Sequence, residues 1–397
     1  MTPESRRTTD PRLCARMQGV QDPVIPIVGE MVRDNPGTIS LGQGVVYYGP
    51  PDSVYEGIRS FQADLENHKY KLVQGIPCLL AAIQRKLAQE NGMDVEAQDR
   101  VVVTAGANMG FMNAVLAVTD PGDEVILPVP YFFNHEMAVT IAGCTPRIVP
   151  TDEQYQLLPE RIEEAVTEKT RAVVTTSPNN PSGAVYAEDD LRAVNEMCRR
   201  RNIYHISDEA YEYFAYEDAR VFSPGSIDGA GEHTISLYSL SKAYGFASWR
   251  VGYMVIPEDL LDPVRKIQDT ILICPPVVCQ HAALQALGEG RPYCTRNMKE
   301  ILDNRRIVRE ELSRLSSKVD VGPAQGAFYI LLRIDSPEHP VDLVRKLVER
   351  HKVAVIPGTA FGMEDACSLR VAYGSLRRDT AKEGIGRLVG GLTELLG

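Results

Sequence analysis

The stretch "SLYSLSKAYGFASWRVGY", residues 236–253, sets one lysine, Lys242, among small, hydroxylic and aromatic residues. Ser239 and Ser241 stand three and one positions before it, Gly245 follows, and Arg250 comes eight positions later. A lysine on an ordinary surface is a solvated charge. One that attacks a carbonyl must be neutral for part of the time, which requires a pKa well below the free value of about 10.4.

Four other stretches carry groups that a single ligand can use together. "TAGAN" ends an apolar run and opens a helix at Gly106, Ala107 and Asn108, where small residues leave backbone N–H groups free for an anion such as phosphate. "PYFFNH" brings Tyr131, Phe132 and Phe133, of which one is expected to face a ligand, and then His135. "SPNNPSGAVY" breaks the chain with two adjacent amides, Asn179 and Asn180, that a plain turn does not need. "IYHISDEAYEYF" puts Asp208 and Glu209 at the end of an apolar strand, with Tyr211 just beyond. A carboxylate there must be exposed or paired, because burying it alone is too costly. One ligand matches the whole set. It needs a phosphate for Gly106, Ala107, Asn108, Ser239 and Arg250, a ring to stack, a basic ring nitrogen for Asp208, a phenolic oxygen for Asn180 and Tyr211, and an aldehyde for Lys242. That ligand is pyridoxal 5'-phosphate.

The elements that must position these residues are readable from periodicity. From residue 100 onward, short β-branched runs alternate with amphipathic segments, the pattern of a parallel sheet with helical crossovers. Strands are expected at "RVVVTAG", "EVILPVP", "TPRIVP", "TRAVVTTSP", "NIYHISDEAY", "HTISLYSLS" and "RVGYMVIP", with helices such as "NMGFMNAVLAV", "FNHEMAVTIAG" and "EDDLRAVNEMCRRR" between them. The fold class is therefore α/β, a doubly wound, mainly parallel sheet. Residues 260–317 are mostly helical in pattern and read as a bridge to a smaller α+β unit, whose strands are "AQGAFYILLRI", "VAVIPG" and "SLRVAYG". The crevice at the carboxyl ends of the parallel strands is the expected ligand site.

Composition excludes several classes. A chain of 397 residues with 44% hydrophobic and 24% charged residues is globular and exceeds one ordinary core, so a large and a small domain are expected. Its net charge of −11 speaks against a nucleic-acid partner. Seven histidines and eight cysteines show no zinc spacing, and no metal is expected. No dinucleotide or P-loop motif is present. No secretory h-region or membrane-length apolar run occurs, and scattered cysteines suit a reducing compartment, so a cytoplasmic protein is expected.

Taken together these stretches resemble the class I and II aminotransferases of pyridoxal-phosphate fold type I, in look closest to the methionine and aromatic subgroup. "SLSKAYGFASWRVGY" is similar to the family's S-x-S-K-x-x-G-x-x-G-x-R-x-G, departing only at Ser248, where glycine is commonest. The resemblance implies that Lys242 holds the cofactor as a Schiff base and acts as general base, with Arg250 on the phosphate. "NNPSG" resembles N-P-[ST]-G, which implies Asn180 on the ring oxygen. "SDEAY" implies Asp208 on the pyridine nitrogen and Tyr211 on the ring oxygen, with His135 behind Asp208 and Phe132 stacked on the ring. "ISLGQG" places Gly44 against the substrate carboxylate, and "SLRVAYG" places Arg370 on that carboxylate. "YKLVQG" implies that Tyr70 reaches the phosphate of a second subunit, hence a homodimer.

The domains implied are 1–45, an amino-terminal arm with part of the small domain, 46–290, the large domain, and 291–397, the small domain. The activity implied is ping-pong transfer of an amino group from an L-amino acid to a 2-oxo acid. A neutral donor, methionine or an aromatic amino acid, is favoured: "QDTILICPPVVCQ", the region matching a partner-subunit arginine of aspartate-specific members, has no arginine, and "VIPIVGEM" is apolar. A β-lyase, a 1-aminocyclopropane-carboxylate-synthase-like enzyme and an amino-acid oxidase share the same residues and stay open. A non-enzymatic pyridoxal-phosphate-binding regulator is disfavoured, because about forty residues precede Gly44 and the chain is acidic.

Overall fold

The computed structural model describes residues 14–397; residues 1–13, the start of the expected amino-terminal arm, lie outside the described residues. A two-residue strand β1 (Ile39–Ser40) comes first. The seven runs expected as strands between residues 100 and 257 then form β2 (Val101–Thr104), β3 (Glu124–Val129), β4 (Thr145–Pro150), β5 (Thr170–Thr176), β6 (Tyr204–Asp208), β7 (Thr234–Ser239) and β8 (Gly252–Val255). They make one sheet in the order β2-β8-β7-β6-β5-β3-β4. Its inner strands are buried on both faces because both faces are covered, while the edge strand β4 is largely exposed. Val125, Leu127 and Val174 pack with Phe111 and Val264 of the helices Ala107–Val118 and Leu261–Leu272. Their neighbours Ile126 and Val173 point the other way, onto Leu191, Val194 and Met197 of the helix Glu188–Arg201.

One strand departs from the expected direction. β3, β4, β5, β6 and β7 are parallel, but β8 runs antiparallel to both β7 and β2. The cause is connection length. A parallel return needs a crossover, usually a full helix. Between Ser239 and Gly252 the chain makes only the four-residue helix Leu240–Ala243 and turns back at Arg250, whose φ of 53° lies in the left-handed region. The hairpin-like excursion that results carries Lys242 and Arg250.

The second unit is a four-stranded antiparallel sheet of β9 (Val319–Val321), β10 (Tyr329–Ile334), β12 (Ile356–Pro357) and β13 (Cys367–Ala372), in the order β12-β13-β10-β9. The amino-terminal β1 pairs beside it with β11 (Val353–Ala354). The helix Val277–Leu312 joins the two parts, kinked at Gly290 two residues before Pro292, and packs against both the helix Ser53–Ala63 and the carboxyl-terminal helix Arg378–Leu396. Neither β1 nor β9 is expected from the sequence, since both are too short to show a period. Among the described residues no helix is long and apolar enough to cross a membrane.

Candidate active site

A cavity of about 230 Å³ opens at the carboxyl ends of β5, β6 and β7, where Thr176, Asp208 and Ser239 end their strands. Its walls bring together Gly44, Ala107, Asn108, Phe132, Asn180, Asp208, Tyr211, Ser239, Ser241, Lys242, Arg250 and Arg370 from segments far apart in sequence. Gly106 stands just behind this wall. A Cβ on Gly106 would meet Arg250 Nη2 at 2.3 Å, so its lack of a side chain lets the guanidinium lie across the start of the helix Ala107–Val118. Arg250 is held there by bonds to Ala247 O at 3.0 Å and Ala105 O at 3.3 Å. The first N–H groups of that helix have no helical acceptor. Together with the Ser239 and Ser241 hydroxyls and one cation, they form an anion-binding end.

Asp208 is buried, with Oδ2 3.1 Å from His135 Nε2 and Oδ1 accepting the Ala210 N–H at 3.0 Å. His135 is clamped between Phe111, stacked at 4.1 Å, and the edge of Phe132. Glu209, adjacent in sequence, faces away from the cavity, as strand alternation requires. Its carboxylate accepts from the Ser207 and Ser223 hydroxyls, and burial pushes its pKa up to about 8. Only one of the two neighbouring carboxyls therefore belongs to the site. The two adjacent amides divide in the same way. Asn179 holds the turn, accepting from Ser182 N and Oγ at 3.0 and 2.7 Å, while Asn180 faces the cavity.

Lys242 Nζ donates to Gly44 O at 2.5 Å and lies 5.9 Å from the Tyr211 ring centre. Burial, and then the charges of Arg370 and Arg250, lower its pKa to about 8 against the opposing pull of Asp208. Arg370 is fully buried, donating to Asn180 Oδ1 at 2.9 Å and Gly42 O at 2.8 Å between the rings of Tyr329 and Phe361. Among the described residues its Nε has no partner. A buried guanidinium with a free donor is a place for a carboxylate.

Residues 36–388 match the family described as "Aminotransferase class I and II". The chain belongs to that family. It is 34% identical to an aromatic aminotransferase of Arabidopsis thaliana over 97% of both chains. It is 36% identical to a probable aspartate/prephenate aminotransferase of Aquifex aeolicus over 90% of this chain and 91% of that one. Among solved structures, an aspartate aminotransferase of Thermus thermophilus superposes with a TM-score of 0.88 at 30% identity, covering 96% of this chain and 99% of the other.

Class I and II aminotransferases use pyridoxal phosphate, and this aminotransferase has the residues to hold it. The cradle at Gly106, the buried acid Asp208 and the amine of Lys242 with its lowered pKa suit a phosphate, a basic ring nitrogen and an aldehyde in turn. One result is expected directly. Lys242 is protonated and unreactive below about pH 8 and neutral above it. Borohydride-trapped bonding of pyridoxal phosphate to the apoprotein should therefore speed up through pH 8 and then level; a rate still climbing toward pH 10 would contradict the placement.

Tyr70 is not brought to this cavity. It stands 77% exposed on the surface. Ile25 comes from "VIPIVGEM", the apolar segment that favours a neutral donor, whereas four other lining residues were not expected from the sequence: Phe133, Thr176, Ala210 and Tyr329. Phe133 is named in "PYFFNH" without a role, and Tyr329 opens a strand read only for its apolar pattern. Gly44 leaves room for Tyr329, since a Cβ there would come within 2.9 Å of the Tyr329 hydroxyl, an approach the sequence gives no sign of.

Proposed function

We propose that this aminotransferase moves the amino group of a neutral L-amino acid, methionine or an aromatic one, to a 2-oxo acid by ping-pong kinetics. The observation that carries the donor preference is the cavity wall. Among the described residues its cations are Lys242, Arg250 and Arg370, and the rest of the wall is supplied by such residues as Ile25, Phe132, Phe133, Ala210 and Tyr329. With Arg250 on the phosphate and Arg370 on the α-carboxylate, no lining cation of the described residues is left for an acidic side chain. The Arabidopsis relative named as an aromatic aminotransferase supports the same reading.

Bound pyridoxal phosphate supplies an aldehyde for the substrate amine and a ring that accepts electrons. The chain does the rest. Gly106, Ala107, Asn108, Ser239, Ser241 and Arg250 hold the phosphate, and Phe132 covers the ring. Asp208, steadied by His135, keeps a proton on the ring nitrogen. Asn180 and Tyr211 donate to the ring oxygen. Arg370, held in place by Asn180 Oδ1, grips the α-carboxylate beside the Gly44 backbone and so aims the Cα–H at Lys242. Lys242 Nζ takes that proton and returns it nearby, acting as both base and acid. The product 2-oxo acid leaves before the second one binds.

The test is a donor panel at fixed 2-oxo acid. Phenylalanine, tyrosine and methionine should exceed aspartate and glutamate in kcat/KM by on the order of 10²-fold, because an acidic side chain would be buried without a partner. Equal turnover of aspartate would overturn the preference. An acidic donor is the second reading, supported by relatives named aspartate/prephenate aminotransferases. It would need a cation from a partner subunit, and residues 268–280 hold neither arginine nor lysine.

A homodimer is part of the proposal, with Tyr70 reaching the partner's phosphate. Tyr55, Leu65, Tyr70, Leu72, Ile271 and Ile273 are all strongly exposed for residues of their kind, which supports a covered face. A fully active monomer in sedimentation would contradict it. A cytoplasmic location is supported by the eight cysteines, all free of disulfides.

A further inference from the structure

Two phenols meet at the cavity wall. Tyr211, just after β6 of the large sheet, and Tyr329, at the start of β10 of the small one, bring their hydroxyls to 2.8 Å. Burial raises the pKa of both, so both keep their hydrogens at neutral pH. Which of them donates follows from their neighbours. Arginine has only donors, so the Arg370 Nη1 bond at 2.9 Å fixes the Asn180 oxygen toward Arg370. The Asn180 nitrogen is then turned to the Tyr211 oxygen, 3.4 Å away.

If Tyr211 donated to Tyr329, the Tyr329 hydrogen would need an acceptor of its own. Tyr329 also lines the cavity, so that hydrogen too would have to go to a bound ligand. On the reading that Tyr211, not Tyr329, faces the cofactor's ring oxygen, the other direction is selected. If Tyr329 donates instead, its hydrogen is used, the Tyr211 oxygen accepts from both Tyr329 and Asn180, and the Tyr211 hydrogen is left for something in the cavity. The charged groups that face Tyr211 are Asp208, Arg370 and, over its ring, Lys242.

We infer that Tyr329 is a positioning residue for the reaction: by donating to Tyr211 it commits the Tyr211 hydrogen to an anionic oxygen of the bound cofactor. The inference rests on the reading that Tyr211 faces the cofactor's ring oxygen. It also ties the two substrate-facing ends together. The Tyr329 ring lies 4.6 Å from the Arg370 guanidinium, so the carboxylate grip and the ring-oxygen contact share one run, Arg370 to Asn180 to Tyr211 to Tyr329.

The experiment is a spectroscopic pH titration of the pyridoxal-phosphate-loaded protein without substrate. Its visible absorption reports the proton shared between the ring oxygen and the Lys242 nitrogen. A hydrogen bond donated to the ring oxyanion favours the form without that proton, so losing the bond raises the midpoint. Tyr329→Phe, which keeps the ring over Arg370, leaves the Tyr211 hydroxyl in place but makes it a weaker donor, and should raise the midpoint by about 0.2 to 0.5 unit, a fraction of the worth of one such bond. Tyr211→Phe should raise it at least as far, and the double variant should match Tyr211→Phe alone, because both act through one hydrogen. A midpoint moved by Tyr211→Phe but not by Tyr329→Phe overturns the inference and leaves the site reading intact. Additive shifts overturn it too. A midpoint unmoved by Tyr211→Phe overturns the reading of the ring-oxygen contact itself.

Discussion

Lys242→Ala is expected to lower kcat by on the order of 10⁴-fold or more, the upper range for a positioned acid–base group that also makes a covalent bond. The expectation rests on position and charge together. The amine lines the same cavity as Arg250 and Arg370, and burial with the charges of those two arginines brings its pKa down to about 8. An ordinary lysine would be almost wholly protonated at neutral pH and poor at taking a proton from carbon. The variant should still bind pyridoxal phosphate, since the phosphate cradle and Asp208 are untouched. Steady-state turnover and equilibrium cofactor binding measured on the same preparation separate the two effects. Turnover within tenfold of the parent protein would remove Lys242 from its role.

Arg370→Ala should raise KM on the order of 10²-fold, and by a similar factor for every α-amino acid whatever its side chain. Truncating one partner of a buried, hydrogen-bonded charge pair costs several kcal/mol, most of it from the charge left behind. Uniformity across donors is the informative part, because a residue that reads the side chain would sort the donors instead. Arg370 is buried against Tyr329 and Phe361, and removing it also leaves Asn180 Oδ1 and Gly42 O without a donor. Arg370→Lys guards against a folding defect. It keeps the charge but cannot offer two parallel N–H donors, so it should show a smaller loss of the same uniform kind. A donor-selective change in either variant would contradict the role.

Much of the site is legible in the sequence because strand ends are. Asp208, Asn180, Ser239 and Lys242 stand at or just after the ends of strands rich in buried apolar residues, where a charged side chain or an amide stands out against the run before it. The helix at "EDDLRAVNEMCRRR" is equally plain, with three acids in its first turn and three arginines in its last. What sequence cannot carry is the approach of segments without a period. β8 looks like the strands before it, and only the shortness of its connection makes it antiparallel. Tyr329 reads as one more apolar residue in a strand, yet the pairing of the Arg370 and Tyr329 strands and the closeness of Gly44 bring its hydroxyl to Tyr211. Tyr70 is the reverse case, a motif residue that stands exposed and away from the cavity of its own chain.

Amino-group transfer by Lys242 and its neighbours is tested most directly by one half of the reaction. The pyridoxal-phosphate-loaded protein is mixed anaerobically with a single amino acid and no 2-oxo acid, and the products are counted against sites. One equivalent of 2-oxo acid per site, no free ammonia, and no further turnover until a second 2-oxo acid is added is the predicted result, with phenylalanine, tyrosine or methionine reacting faster than aspartate. Ammonia and 2-oxo acid accumulating over many turnovers, or a cyclised product, would contradict transamination and assign the same residues to elimination or ring closure.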